Sequence, residues 1–122
     1  MRLEIEVWLR GRDTATTDSV DVPIAEPAGW TEADVRVVLS ELLRAIDRRS
    51  HPDAPRERPV MLRGFSWIVS PFDSGGYTIA VEIQLGASAT GPFDVDQKQV
   101  ERLITSVMAQ DRAASDGAPS IH

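Results

Sequence analysis

The stretch TEADVRVVLSELLRAIDRR, residues 31–49, decides the fold because it carries the signals of one amphipathic helix from beginning to end. Thr31 is placed to cap the helix, with Asp34 three residues on, and apolar side chains then recur at helical spacing. They form a single face made of Val35, Val38, Leu39, Leu42, Leu43 and Ile46. Three prolines follow within residues 52–59, so we expect the helix to end near Arg49.

The chain on both sides of this helix alternates between apolar and polar residues, which is the pattern of half-buried β-strands. We predict four strands, at residues 2–10, 20–24, 60–70 and 77–85. Pro23 lies in the second of these runs. Because proline cannot donate to a β-ladder, that strand is expected at an edge of the sheet.

A second amphipathic helix is predicted after the small-residue loop GASATGPF, residues 86–93. It begins at Asp94 or Asp96 and buries Val100, Leu103, Ile104, Val107 and Met108. The resulting order ββαββα predicts an α+β fold, a two-layer sandwich in which a four-stranded, mainly antiparallel sheet carries both helices on one face. Residues 1–112 are expected to form this single domain, and 113–122 a flexible C-terminal tail.

Composition excludes several functional classes. The 122 residues include no cysteine, which removes disulfides and thiolate metal sites, and no metal or cofactor is expected. The net charge of −6 argues against a nucleic-acid partner. No apolar run is long enough for a signal peptide or a membrane span, so we expect a cytoplasmic protein without a membrane partner.

The segment SPFDSGGY, residues 70–77, resembles a phosphate-binding or nucleophile loop because it combines a hydroxyl, an acid and two glycines. A phosphate loop needs a helix N-terminus directly after it, whereas here a strand is predicted. The sequence offers no base to activate Ser74. We therefore interpret the segment as the turn of a β-hairpin.

Two sets of ionisable residues are candidates for chemistry. His51 follows the first helix without a visible partner, and His122 ends the chain, which argues against zinc binding and general-base catalysis. Glu4, Glu6 and Glu82 are predicted on the helix-free face, where paired carboxylates could perform acid–base work or bind a hard cation. The sequence favours the simpler interpretation that these are polar residues on the solvent-facing side of an antiparallel sheet, because strand alternation alone predicts charges there.

An arginine-rich segment runs from Arg44 to Arg63. It contains six arginines and three acidic residues, a local charge of +3 in an acidic chain. Such a segment could dock an acidic partner. The alternative is that arginines in a last helical turn complement the helix dipole and that a proline-rich loop must be polar.

The third predicted strand is apolar on both faces. Burying the charge of Arg63 beneath the helices would cost free energy. We therefore assign Arg63 and the residues that alternate with it to the helix-free face, and Gly64 and Ser66 to the face that the helices cover. This assignment predicts a protein interface made of Trp8, Met61, Arg63, Phe65 and Trp67.

Three functions remain open. The sequence favours a soluble, non-enzymatic domain that forms a homodimer through the open face of its sheet. The second hypothesis is a small-molecule-binding protein or small enzyme with a pocket at that face, where Arg63 holds an anion and Glu82 or Glu6 serves as the acid–base group. The third is an adaptor that binds an acidic protein through the segment from Arg44 to Arg63.

Overall fold

The computed structural model of the chain describes residues 1–53 and 60–116. In chain order its elements are β1 (Arg2–Leu9), β2 (Thr16–Asp21), a short 3-10 turn (Pro27–Gly29), α1 (Glu32–Ser50), β3 (Ser66–Pro71), β4 (Tyr77–Ile83), β5 (Gly86–Phe93) and α2 (Gln97–Asp116). The predicted α+β fold is confirmed. The sheet has five strands rather than four.

The five strands lie in the order β2-β1-β5-β4-β3, and every neighbouring pair is antiparallel. Tight connections join β1 to β2, β3 to β4 and β4 to β5, while α1 carries the chain from one edge of the sheet to the other. The second strand lies at an edge, as predicted, but it covers Thr16–Asp21 rather than residues 20–24, so Pro23 follows the strand instead of lying in it. β5 lies in the middle and pairs with the first strand of the chain.

The interpretation of residues 86–93 as a loop is wrong, because this segment is the central strand β5. Its small residues conceal the usual strand pattern, but the packing requires them. A β-carbon on Gly86 would lie 2.1 Å from the carbonyl oxygen of Trp8. Ser88 is fully buried, and its hydroxyl donates to the carbonyl oxygen of Leu42 in α1 at 2.7 Å. The small side chains of β5 therefore let α1 pack close to the sheet and let the backbone of β1 lie close to Gly86.

The hydrophobic core lies between the sheet and both helices. β1 contributes Leu3, Ile5 and Val7, and β4 contributes Ile79 and Val81, each at most 1% exposed. The helices fill the other side with the predicted apolar faces, of which Leu103 and Met108 are partly buried. Because these strand residues alternate with exposed ones, the opposite face of the sheet is left without a helix among the described residues. We call this surface the open face.

The helix ends follow their capping residues. The Thr31 N–H donates to Asp34 Oδ2 at 3.0 Å, and the Asp34 N–H donates to Thr31 Oγ1 at 3.4 Å, which confirms the predicted start of α1. Asp96 caps α2, since its Oδ2 accepts the Gln99 N–H at 3.0 Å. α2 continues past residue 112 to Asp116, and the rest of the predicted tail, 117–122, lies outside the described residues.

Polar contacts between the helices fix the start of α1 against the second half of α2. Glu32 accepts hydrogen bonds from the Ser106 hydroxyl and, at 2.6 Å, from Gln110 Nε2. These two bonds, together with the charge of Arg36, hold the pKa of Glu32 below its usual value of 4.5. Arg36 in turn pairs with Asp111.

β3 begins at Ser66, so the strand predicted from residue 60 forms only in its second half. Gly64 adopts φ +75°, a left-handed conformation that ends regular strand alternation and that glycine tolerates best. Leu62, which precedes it, is buried in the core. The alternation of inward and outward side chains in residues 60–63 consequently does not continue into β3.

Candidate functional site

The register of the ladders determines which residues share the open face. One row across the sheet places Trp8 opposite Ala87, Ala87 opposite Glu82, and Glu82 opposite Ser66. Opposed residues of antiparallel strands point to the same side. Trp8 and Glu82 therefore stand in one row, with the small Ala87 between them.

The next row is more apolar. It runs from Glu6 to Ala89, Ala80 and Ile68. Ile68 is 58% exposed and Trp8 42%, so the open face carries a large apolar side chain on each side of three alanines. Because alanine barely rises above the backbone, the middle of this face is flat.

The assignment of Trp67 to the open face is wrong. Trp67 lies opposite Val81 and Val69 opposite Ile79, and all three of these partners belong to the core beneath the helices. Trp67 and Phe65 are both partly buried and pack against that core. The inversion follows from Gly64, which breaks the alternation on which the assignment rested.

Ser66 and Ile68 correspondingly lie on the open face rather than under a helix. Met61 is 58% exposed, but it precedes β3 and is not part of the sheet. Arg63 also precedes the strand and is exposed. Of the five predicted interface residues, Trp8 is therefore the one that the sheet itself presents on this face.

The three carboxylates do share the open face, but they are not assembled for acid–base chemistry. Glu4 accepts the Ser19 hydroxyl at 2.5 Å and lies 3.4 Å from Arg2. Glu6 is on β1 and Glu82 on β4, with β5 between them. Paired catalytic carboxylates act on one substrate from close range, and this spacing separates them.

Arg63 and Glu82 are nevertheless brought to one place. Both line a cleft of about 900 Å³ at the end of β4, together with Arg10, Phe65 and Ser66. The cleft exists because the chain joins the edge of β4 only at Ser66, leaving Ile83 and Gln84 without a β3 partner. Glu6 is not part of its lining.

Arg10 is the cleft residue that the sequence does not single out. Its Nε donates to the carbonyl oxygen of Gln84 at 2.7 Å, which holds the guanidinium at the mouth of the cleft. In the sequence Arg10 is one more polar residue at the end of an alternating strand. That Arg10 lies beside the cleft becomes evident only when the strand order is known, because β1 lies two strands from β4.

The segment at residues 70–77 is a hairpin turn, as interpreted from its composition. The Phe72 N–H donates to the Gly76 carbonyl at 2.9 Å, and the Gly75 N–H donates to the Phe72 carbonyl at 3.0 Å. β3 and β4 pair on either side of it. A strand follows the turn, so the amides of a helix N-terminus do not converge there.

The arginines of α1 are partly neutralised by acids of the same chain. Arg44 lies 3.1 Å from Glu41, Arg48 lies 3.5 Å from Asp18, and Arg49 also pairs with Asp18. Arg56 and Arg58 lie outside the described residues. The described part of this segment thus has less charge available for an acidic partner than its arginine count indicates.

His51 has a partner, since its Nδ1 lies 3.3 Å from Asp47 at the end of α1, while His122 lies outside the described residues. Among residues 1–53 and 60–116, no group of three potential ligands from His, Cys, Asp and Glu is gathered for a metal ion. Within the same ranges no helix is long and apolar enough to cross a membrane.

No protein-family model, no curated protein and no solved structure matches this chain. The case for a function therefore rests on the geometry of the open face and of the cavities.

Proposed function

We propose that this chain is a non-enzymatic assembly domain of the cytoplasm that forms a homodimer by packing its open face against the open face of a second copy. The observation that carries the proposal is the pair Trp8 and Ile68, exposed on either side of a flat alanine centre. A sheet face that stays in water normally carries polar side chains along its central strands. Contiguous exposed apolar surface is typical of an interface instead.

The charges on the open face select one arrangement of the two copies. A two-fold axis across the strands would lay β1 on β1 and bring the carboxylates of Glu4 and Glu6 together. An axis parallel to β5 lays β1 of each copy on β4 of the other. Glu6 then faces Ala80 and Glu82 faces Trp8, so like charges are kept apart.

This second arrangement also gives Glu82 a partner. The indole N–H of Trp8 makes no hydrogen bond within the described residues, and in the dimer it can donate to the carboxylate of the second copy's Glu82. The contact would be formed twice by symmetry. Hydrogen bonds to a charged group are among the stronger ones in proteins, which favours this docking over a purely apolar one.

The size of the open face is sufficient for a weak dimer. Five strands spaced about 4.8 Å apart, each about 20 Å long, give a footprint on the order of 500 Å². Standard interfaces bury roughly 800 Å² per partner, measured over the relief of the side chains. We therefore expect association at the micromolar level rather than an obligate dimer.

The edges of the sheet are less suited to association than its face. Phe72 and Gly76 form a hydrogen-bonded pair, and hydrogen-bonded pairs alternate with non-hydrogen-bonded ones along an antiparallel ladder. Val69 and Ile79 are therefore a non-hydrogen-bonded pair, and the N–H and C=O of Val69 point away from β4. Gln97 Nε2 donates to the Val69 carbonyl at 3.0 Å, and Pro71 has no N–H to offer. The β3 edge is thus partly closed, and β2 carries Asp18 and Asp21.

Sedimentation equilibrium over a dilution series tests the proposal. We expect a mass approaching twice 13.4 kDa at micromolar concentration and falling toward 13.4 kDa on dilution. A mass of 13.4 kDa at every concentration would remove it.

A second candidate function is supported by the cleft that contains Arg10, Arg63 and Glu82. In it a small anionic ligand would bind the two guanidinium groups while Glu82 accepts a hydrogen bond from its polar substituents. Ligand screening by thermal shift distinguishes this candidate from the dimer, because Arg10→Gln should abolish the shift without changing the mass. Acid–base chemistry by a Glu6–Glu82 pair is not part of this candidate, since Glu6 lies outside the cleft.

A further inference from the structure

A separate cavity of about 300 Å³ lies where the turn between β1 and β2 meets the last turn of α1. Its polar wall consists of Arg12, Thr14, Thr16, Arg48 and Arg49. Three guanidinium groups and two hydroxyl groups therefore surround one small space in a chain whose net charge is −6. Among the described residues of the wall there is no carboxylate.

Among residues 1–53 and 60–116, the positive charge of the cavity wall exceeds what the neighbouring acids neutralise. Arg48 and Arg49 share the single carboxylate of Asp18, which is not part of the wall. Glu41 lies 3.9 Å from Arg48, but it is closer to Arg44. One carboxylate held between two guanidinium groups leaves a net positive charge facing the cavity.

Arg12 is the least constrained of the three cations. Its side chain makes no ion pair or hydrogen bond with any residue in 1–53 and 60–116, and it is exposed. The hydroxyl groups of Thr14 and Thr16 likewise have no hydrogen-bond partner within those ranges. The neighbouring Asp13 is exposed and not part of the wall. Donors without acceptors thus converge on the cavity.

The floor of the cavity is apolar, since Val7 and Leu9 of β1 form part of it. Guanidinium groups bind the oxygens of phosphate and carboxylate in a planar, two-pronged geometry, and hydroxyl groups add single hydrogen bonds. The volume is at the small end of ligand pockets. The C-terminal dipole of α1 disfavours an anion, and the two arginines in its last turn oppose that effect.

We propose that this cavity binds a small phosphate monoester. The phosphate group lies between Arg12 and Arg49 and accepts hydrogen bonds from the threonine hydroxyls, while the organic part contacts Val7 and Leu9. This site is distinct from the open face, because Val7 points toward the helices. Ligand binding and dimerisation can therefore be tested independently.

A ¹⁵N-resolved NMR titration with phenyl phosphate tests the site, with ionic strength held constant by chloride to separate binding from screening. We expect saturable shifts confined to the amides of residues 11–17 and 47–53. Arg12→Gln should weaken the affinity roughly tenfold or more. Thr16→Val, which keeps the branched shape of the side chain, should weaken it less. Arg102→Gln, an equal loss of charge on α2, should leave it unchanged.

Shifts that fail to saturate, or equal affinity in wild type and Arg12→Gln, would overturn the proposal. The same spectra show whether each variant is folded, so loss of binding cannot be confused with loss of structure. Inorganic phosphate is the second probe. If it binds as tightly as phenyl phosphate, the apolar floor contributes nothing and the organic part of the proposal is wrong.

Discussion

Trp67 of β3 and Val81 of β4 lie opposite each other in the sheet, and both side chains point toward the helices. Val81 is 1% exposed and Trp67 is partly buried. This relationship assigns Trp67 to the stability of the fold, whereas Trp8, on the other side of the sheet, is free to act in association.

The two tryptophans provide a matched pair of variants. Trp67→Ala should lower the free energy of unfolding by about 2–3 kcal/mol, because it removes apolar contacts and leaves a cavity beneath α2. Trp8→Ala should change it by less than about 1 kcal/mol, because the side chain is exposed in the monomer. Urea unfolding at low protein concentration, where the dimer dissociates, measures both values. The reverse order would mean that the two faces have been interchanged.

The stability of the fold is expected to depend on the size of the side chain at position 88 as well as on the hydrogen bond that Ser88 makes. Ser88→Ala should cost about 1 kcal/mol, since the Leu42 carbonyl loses a donor. Ser88→Val should cost about 2–3 kcal/mol, because added methyl groups also force α1 away from β5. Chemical denaturation of the two variants, with Ser74→Ala as an exposed control, checks this. Equal stability of Ser88→Val and wild type would contradict the close approach of α1 to the sheet.

Glu32 should contribute to the acid sensitivity of the protein. Its pKa is lowered in the folded state, first by the Ser106 hydroxyl, then by Gln110 and Arg36. A carboxylate with a lowered folded pKa stabilises the fold above its unfolded pKa, here 4.5, and loses that contribution as pH falls through the folded pKa. Wild type should therefore exceed Glu32→Gln in stability at neutral pH.

The difference between wild type and Glu32→Gln should narrow as the pH is lowered below 4.5. Urea midpoints measured across this range test the prediction. Glu26→Gln, which removes an exposed carboxylate ahead of the 3-10 turn, serves as the control for the loss of one negative charge. A constant difference for Glu32→Gln at all pH values would show that its carboxylate is not held by α2.

The sequence predicts those elements whose signals are local. The capping residues Thr31 and Asp96 and the apolar stripe of α1 depend on neighbours within a few positions, and the structure bears them out. β5 could not be predicted in this way. Its glycine, alanine and serine residues are required by α1 and by Trp8, both of which are distant in the chain.

Part of the candidate site could likewise be predicted from the sequence, because its signal is local. Trp8 lies on a strand whose alternation is unbroken, so its exposed position follows from parity alone. Trp67 follows Gly64, whose left-handed conformation shifts the register by one residue and reverses every side chain after it. A single glycine conformation thus decides which aromatic residue is available to a partner, and the sequence does not specify it.

The measurement that tests the central claim most directly is the mass of two lysine variants at a concentration where the wild type is dimeric. Ile68→Lys places a charge on the open face, whereas Met61→Lys places the same charge on an apolar side chain that is 58% exposed ahead of β3. Equal melting temperatures of the two diluted variants establish that both are folded. We predict 13.4 kDa for Ile68→Lys and twice that mass for wild type and Met61→Lys. An Ile68→Lys variant that stayed dimeric, or a wild type that was never dimeric, would contradict the assignment of the open face as the interface.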